Sequence, residues 1–159
     1  MILTVDKIPE TASCATHKKF QGEAPSIVTI HWVGPYPGQT PEMVRKWWID
    51  SKGEASAHFV VKDDNVLQCW DISQVAYHAG CRAGNESSLG IEVIPENVEG
   101  KFSDKSITSL HELLDMLCKQ LHKQIKSIPI IRHFDWTGKN CPLYYTDNSK
   151  WQELLNQIK

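Results

Sequence analysis

Nowhere in the 159 residues is there an apolar run close to the ~18 residues that a membrane-spanning helix needs. Nor does the N-terminus carry a basic segment followed by a long apolar stretch, the pattern of an export signal. A membrane partner is therefore not expected, and the chain is expected to be soluble and made in the cytoplasm. Cysteine is scarce in the way that matters: Cys14, Cys69, Cys81, Cys118 and Cys141 are odd in number and form no CxxC pair. That excludes a disulfide-stapled secreted scaffold and reads as reduced thiols. An excess of one charge is also missing, with 17 basic against 19 acidic residues and a formal net charge of -2. There is no electrostatic reason to expect nucleic acid or an anionic membrane surface as partner. No internal repeat or low-complexity tract appears. What remains, with 41% hydrophobic residues, is enough for one domain with a sizeable core, taken as residues 1–159.

The elements read off in order. Residues 1–24 show no clear period and are expected to form a surface arm, with His17 solvated. Ser26 to Ile30 is a β-branched run bounded by Pro25, a strand, and it runs into His31-Trp32 before a Gly/Pro loop. Thr40-Pro41 reads as N-cap and first residue of a helix whose apolar positions Met43, Val44, Trp47 and Trp48 are expected to face the core until Gly53 stops it, with sugar stacking as the lesser alternative for the two tryptophans. Residues 57–62 and 66–70 flank Asp63-Asp64-Asn65 as a hairpin. Residues 74–88 have turn composition and place His78 on a loop. Leu89 to Ile94 is a strand with one anomaly, Glu92, because a carboxylate in an apolar run needs a partner, a metal or a wet cleft. Apolar residues three or four apart from Ser106 to Ile125 predict a long amphipathic helix. His111-Glu112 on it opens like a zinc HExxH motif, but Asp115 stands where the second histidine belongs. Cys118 reads as a small core hydrophobe rather than a metal partner of His122. A last helix follows Asp147-Asn148-Ser149, with Trp151, Leu154, Leu155 and Ile158 facing inward. This order predicts an α/β domain with a mixed central sheet flanked by helices.

The chemistry concentrates between Arg132 and Pro142, RHFDWTGKNCP, which delivers an imidazole (His133), an ammonium (Lys139) and a thiol (Cys141) within a few residues. Thr137-Gly138 breaks the backbone, so His133 and Cys141 can double back to a common point. The pattern of apolar strand, then histidine, then loop occurs there and also at His31. His31, His133 and Cys141 would make a three-ligand zinc site, and three protein ligands with one open position is the catalytic pattern, whereas structural zinc is closed by four. Zinc would supply a water of lowered pKa, Glu92 a base for its proton, and Lys139 support for negative charge on an attacked carbonyl oxygen. His58 reads equally as a structural or a cleft residue, and a solvated His78 stays open at this level.

TIHWVG with His31, SAHFVV, AYHAG with His78, SLGIEV with Glu92, and RHFDWTGKNCP run in one order over nearly the whole chain. Together they resemble the zinc-dependent N-acetylmuramoyl-L-alanine amidases, which include phage endolysins and lysozyme-like amidases and are related to animal peptidoglycan recognition proteins. The resemblance implies zinc on His31, His133 and Cys141, Glu92 and Lys139 as catalytic groups, and substrate near His78, with Trp32 and His58 as further candidates. It implies hydrolysis of the amide between N-acetylmuramic acid and the first L-alanine of the peptidoglycan stem, by a phage endolysin or bacterial autolysin acting on the wall after release. One branch of the family carries a catalytic tyrosine where this chain has Ala57, so that role does not transfer. Such phage enzymes often add a wall-binding module, which this chain is expected to lack. Two other readings stay open: a non-catalytic peptidoglycan-binding module of the same fold, and a structural zinc domain closed by His58 or His78.

Overall fold

Six strands form one sheet in the computed structural model, which describes residues 1–16, 18–22, 25–51, 53–124 and 127–159. The strands are β1 (Ile2–Val5), β2 (Ile27–Trp32), β3 (Phe59–Lys62), β4 (Asn65–Gln68), β5 (Ser88–Val93) and β6 (Ile130–Arg132), in spatial order β1-β4-β3-β5-β2-β6. The hairpin β3/β4 is antiparallel, and the remaining neighbours pair in parallel, so the sheet is mixed as predicted. The helices are α1 (Pro41–Asp50), α2 (Arg82–Ser87), α3 (Asp104–Gln120), α4 (His133–Thr137) and α5 (Asn148–Ile158).

The side-chain period of two divides each central strand between two layers. Val28 and Ile30 of β2, with Leu89, Ile91 and Val93 of β5, pack under α3 and α5. On the opposite face, Val60 and Leu67 meet Val44 and Trp48 of α1. The second face is only partly apolar, since Thr29 and His31 of β2 and Ser88, Gly90 and Glu92 of β5 alternate with the residues of the first layer. Parallel strands covered on both sides present their carboxyl ends along one edge, where open α/β sheets bind ligands.

Local signals account for most helix boundaries. The Thr40 hydroxyl accepts from the Met43 N–H at 3.3 Å with Pro41 following, and Ser103 and Asp147 cap α3 and α5. Other expectations are corrected. The N-terminal arm contains β1, an edge strand parallel to β4 whose four residues are all exposed. The turn-like segment before Ser88 contains α2, closed by the Ser88 hydroxyl on the Gly84 carbonyl at 2.7 Å. On α1, Trp48 is 4% exposed but Trp47 is 59% exposed, because successive helical residues point about 100° apart and only one of two adjacent side chains can face the sheet. Helix α3 ends at Gln120, and His122 adopts a left-handed φ of 53°, so Cys118 and His122 do not form an i, i+4 pair; Cys118 is in the core. Ile125 and His17 lie outside the described residues.

Candidate metal centre

In β2 and β5 the parallel register pairs His31 with Glu92, and Ile30 of β2 pairs with Arg132 of β6, one residue before His133. Three adjacent strands thus deliver Glu92, His31 and His133 to the same edge. Cys141 returns to it because α4 is a single short helix ended by Gly138 in the left-handed conformation, φ 74°. The Phe134 N–H then bonds the Cys141 carbonyl at 2.8 Å. Arg132 staples the excursion. Its buried guanidinium reaches Asp135, the carbonyls of Tyr145 and Thr146, and the Asn148 side chain.

The donor atoms of His31, His133 and Cys141 lie within 4.8 Å of one another, and all three residues are buried. His31 Nδ1 is 3.1 Å from His133 Nδ1 and 3.8 Å from Cys141 Sγ. Tetrahedral zinc with bonds of ~2.0–2.1 Å to nitrogen and ~2.3 Å to sulfur places such atoms about 3.3 Å and about 3.6 Å apart, close to the two separations measured from His31 Nδ1. Among the described residues no fourth histidine, cysteine or carboxylate joins the group. Burial keeps both imidazoles neutral: the His31 pKa lies well below its ordinary value, held down first by desolvation and then by His78, His133 and Lys139. That of His133 is lowered by burial and by Lys139. The Cys141 thiol is pushed up to about 12 by burial and by the Glu92 carboxylate, so a thiolate there calls for a compensating cation.

Glu92 Oε1 lies 4.0 Å from His31 Nδ1, and Oε2 is buried without a hydrogen-bond partner. Burial raises its pKa to about 8, with Lys139 acting in the opposite direction. Lys139 is exposed on the rim. Both residues line a cleft of about 390 Å³ whose floor carries the three donors and whose far wall is made by Tyr36, Gln39, Trp47 and Trp48. Tyr36 and Trp47 are 57% and 59% exposed. Tyr36 and Gln39 were not among the sequence candidates, and for Trp47 and Trp48 sugar stacking stood only as the lesser alternative to the core. The exposed face of an amphipathic helix becomes visible as a cleft wall only once α1 is set over β3 and β4.

The remaining candidates separate. Trp32 lines the cleft and packs against Gly100, where a Cβ would approach its ring to 2.9 Å. His78 also borders the cleft but is 8% exposed, with Nδ1 at 3.0 Å from His31 Nε2 and Nε2 at 3.1 Å from the Ser88 carbonyl. The expectation that His58 meets substrate is corrected. It is 0% exposed, its Nδ1 accepts from the Gly90 N–H at 2.9 Å, and its Nε2 lies 2.9 Å from the Gln74 carbonyl. With both nitrogens on backbone, His58 has no lone pair for a metal or a ligand, and closure of a structural zinc site by it is excluded. Ala57, where one family branch has tyrosine, is also fully buried.

Comparison with known proteins gives a consistent outcome. A family model described as N-acetylmuramoyl-L-alanine amidase matches residues 21–143. The N-acetylmuramoyl-L-alanine amidases BlyA and XlyB of Bacillus subtilis are 25% and 23% identical over 99% and 96% of this chain. The chain spans about half the length of these curated relatives, 47% and 49%. Among solved structures, a mutant endolysin from Bacillus subtilis superposes with a TM-score of 0.82 at 24% identity, covering 99% of each chain. The catalytic domain of XlyA superposes with a TM-score of 0.78 at 25% identity, covering 100% of each.

Proposed function

The chain belongs to the N-acetylmuramoyl-L-alanine amidase family, and on that premise we propose that it is a zinc-dependent hydrolase of the amide joining N-acetylmuramic acid to L-alanine in bacterial peptidoglycan. The observation that carries the reading is the convergence of His31, His133 and Cys141 beside an unpartnered Glu92 oxygen at the floor of an open cleft. Those three residues would hold the ion, and the absence of a fourth protein donor among the described residues supports a site open to solvent and substrate.

When bound, zinc supplies Lewis acidity, lowering the pKa of a water to about 7 and polarising the amide carbonyl. The protein's own groups divide the remaining work. Glu92, one strand away from His31 and held ionised once a cation offsets its burial, takes a proton from the attacking water and returns it to the departing L-alanine nitrogen. The oxygen of its carboxylate that lacks a partner is the atom free to do so. Lys139 places an ammonium near the carbonyl oxygen as charge builds there. Trp47 and Tyr36 on the exposed wall hold the substrate, which is large and amphipathic. Action on the wall after release from the cell is part of the same proposal.

The test uses purified cell walls, with release of new L-alanine amino termini as the readout. Wild type with about one zinc per chain is expected to release them, to stop after chelation and to recover on zinc addition. Glu92→Gln is expected to keep its zinc and lose about 10²–10⁴-fold in kcat. Wall binding without release by the zinc-loaded protein would reject hydrolysis in favour of a binding module.

A further inference from the structure

Both facing histidines turn their outer ring edge to one short loop, residues 77–80. His31 does so through Nε2, at 3.0 Å from His78 Nδ1. His133 does so through Nε2, the atom beside Gly80. The proton positions along the first contact follow from one fixed point. The Ser88 carbonyl only accepts, so His78 Nε2, 3.1 Å away, is the protonated nitrogen of that ring. A neutral imidazole protonated at Nε2 presents a lone pair at Nδ1. His31 Nε2–H therefore donates to His78, and His31 Nδ1 is left as a lone pair directed at His133 Nδ1 and Cys141 Sγ.

We propose that His78 is a positioning residue: the relay from the Ser88 carbonyl through His78 to His31 fixes the tautomer and ring plane in which His31 offers Nδ1 to a metal. The proposal rests on the zinc reading above and assigns His78 to the metal ligand rather than to substrate. The surroundings are built for it. The ring of His78 lies over Gly90 of β5, where a Cβ would stand 2.5 Å from His78 Cγ. Its loop is clamped by Asn85 of α2, whose Oδ1 accepts from the N–H of His78 at 3.0 Å and of Ala79 at 2.8 Å. Ser88 is fixed in turn by the Thr29 and Gly84 contacts of its hydroxyl. A side chain meant for passing ligands is not ordinarily satisfied on both nitrogens and packed against a strand position that only glycine can occupy.

Zinc affinity, read by competition with a chromophoric chelator, tests this without reference to turnover. His78→Phe is expected to weaken zinc about 10–100-fold, the usual loss when a partner of a ligand histidine is removed. His78→Asn, which restores an acceptor near the Nδ1 position, is expected to recover most of it. Gly90→Ala, which keeps His78 but displaces its ring, is expected to weaken zinc in the same direction. Nitrogen-15 correlation spectra of the metal-free wild type are expected to report His31 and His78 both protonated at Nε2. If the wild type binds no zinc, the metal reading fails and the relay with it. If the wild type binds zinc while His78→Phe binds equally well, or His31 is found protonated at Nδ1, the relay alone is overturned. Equal loss in folded His78→Phe and His78→Asn proteins also rejects it.

Discussion

His31, His58 and His78 are three buried histidines with different work, and only their hydrogen-bond partners tell them apart. His58 is held neutral by burial, its pKa lowered to about 4 despite the opposing pull of the Gln74 carbonyl and Asp71. The unfolded chain binds a proton at this residue near pH 6.5, whereas the folded chain does not until about pH 4. The contribution is therefore present above the unfolded value and is lost as pH falls between the two. It is worth on the order of 3 kcal/mol in full, of which about 2 kcal/mol is lost by pH 5. Urea denaturation of wild type and His58→Gln at pH 7 and pH 5 is expected to show a steeper acid loss in the wild type, and equal losses would refute the assignment. From the sequence, His58 and His78 could not be told apart in kind, whereas the flanking runs singled out His31 and His133, because a ligand at a strand end leaves a pattern. The relay through His78 left none, since it depends on which nitrogen meets a carbonyl ten residues away.

Among the elements, those written in local chemistry were legible. Thr40-Pro41, Ser103 and Asp147 mark helix starts, and the hairpin and the strands β2 and β5 follow their β-branched runs. β1 and α2 were not legible. β1 is short, fully exposed and held by backbone pairing to β4, so its side chains carry no period. α2 is a six-residue helix in turn-forming residues, stabilised by its place over β5. The helix–turn that follows β6 depends on Arg132, whose side chain is 9% exposed and whose guanidinium bonds two backbone carbonyls and Asp135. Arg132→Met leaves those carbonyls without their donor and the Asp135 carboxylate with only the backbone N–H of residue 132, and is expected to lower stability by about 3 kcal/mol, measured as a shift of the urea midpoint at unchanged slope. For α1 the exposed face matters instead. Trp47→Ala is expected to raise KM for soluble muropeptides several-fold while kcat and stability stay near wild type, which steady-state kinetics and thermal melts resolve together. A drop in kcat at constant KM would argue against Trp47 as a binding wall.

At the scale of the molecule, the sheet brings together donors that are distant in the chain. Metal binding couples to folding wherever the site exists only in the folded state. Zinc at 100 times its dissociation constant is expected to stabilise by about 2.7 kcal/mol, which for a domain of this length raises Tm by roughly 5–11 °C. Scanning calorimetry with zinc and with chelator measures it, and coincident melts would show that the ion does not act on this fold. The α/β class and the mixed sheet were readable because strand and helix patterns alternate, but the strand order was not, since β6 reaches β2 across the whole of α1, β3 to β5 and α3. That ordering has a temporal side. A ribosome that has released β1 to β5 has made a polypeptide with one of the three metal donors, His31, and the other two emerge only with β6 and the turn behind it. The nascent chain thus cannot assemble the three-donor set until Cys141 has been added, and a break anywhere between Arg132 and Cys141 severs one ligand from the others.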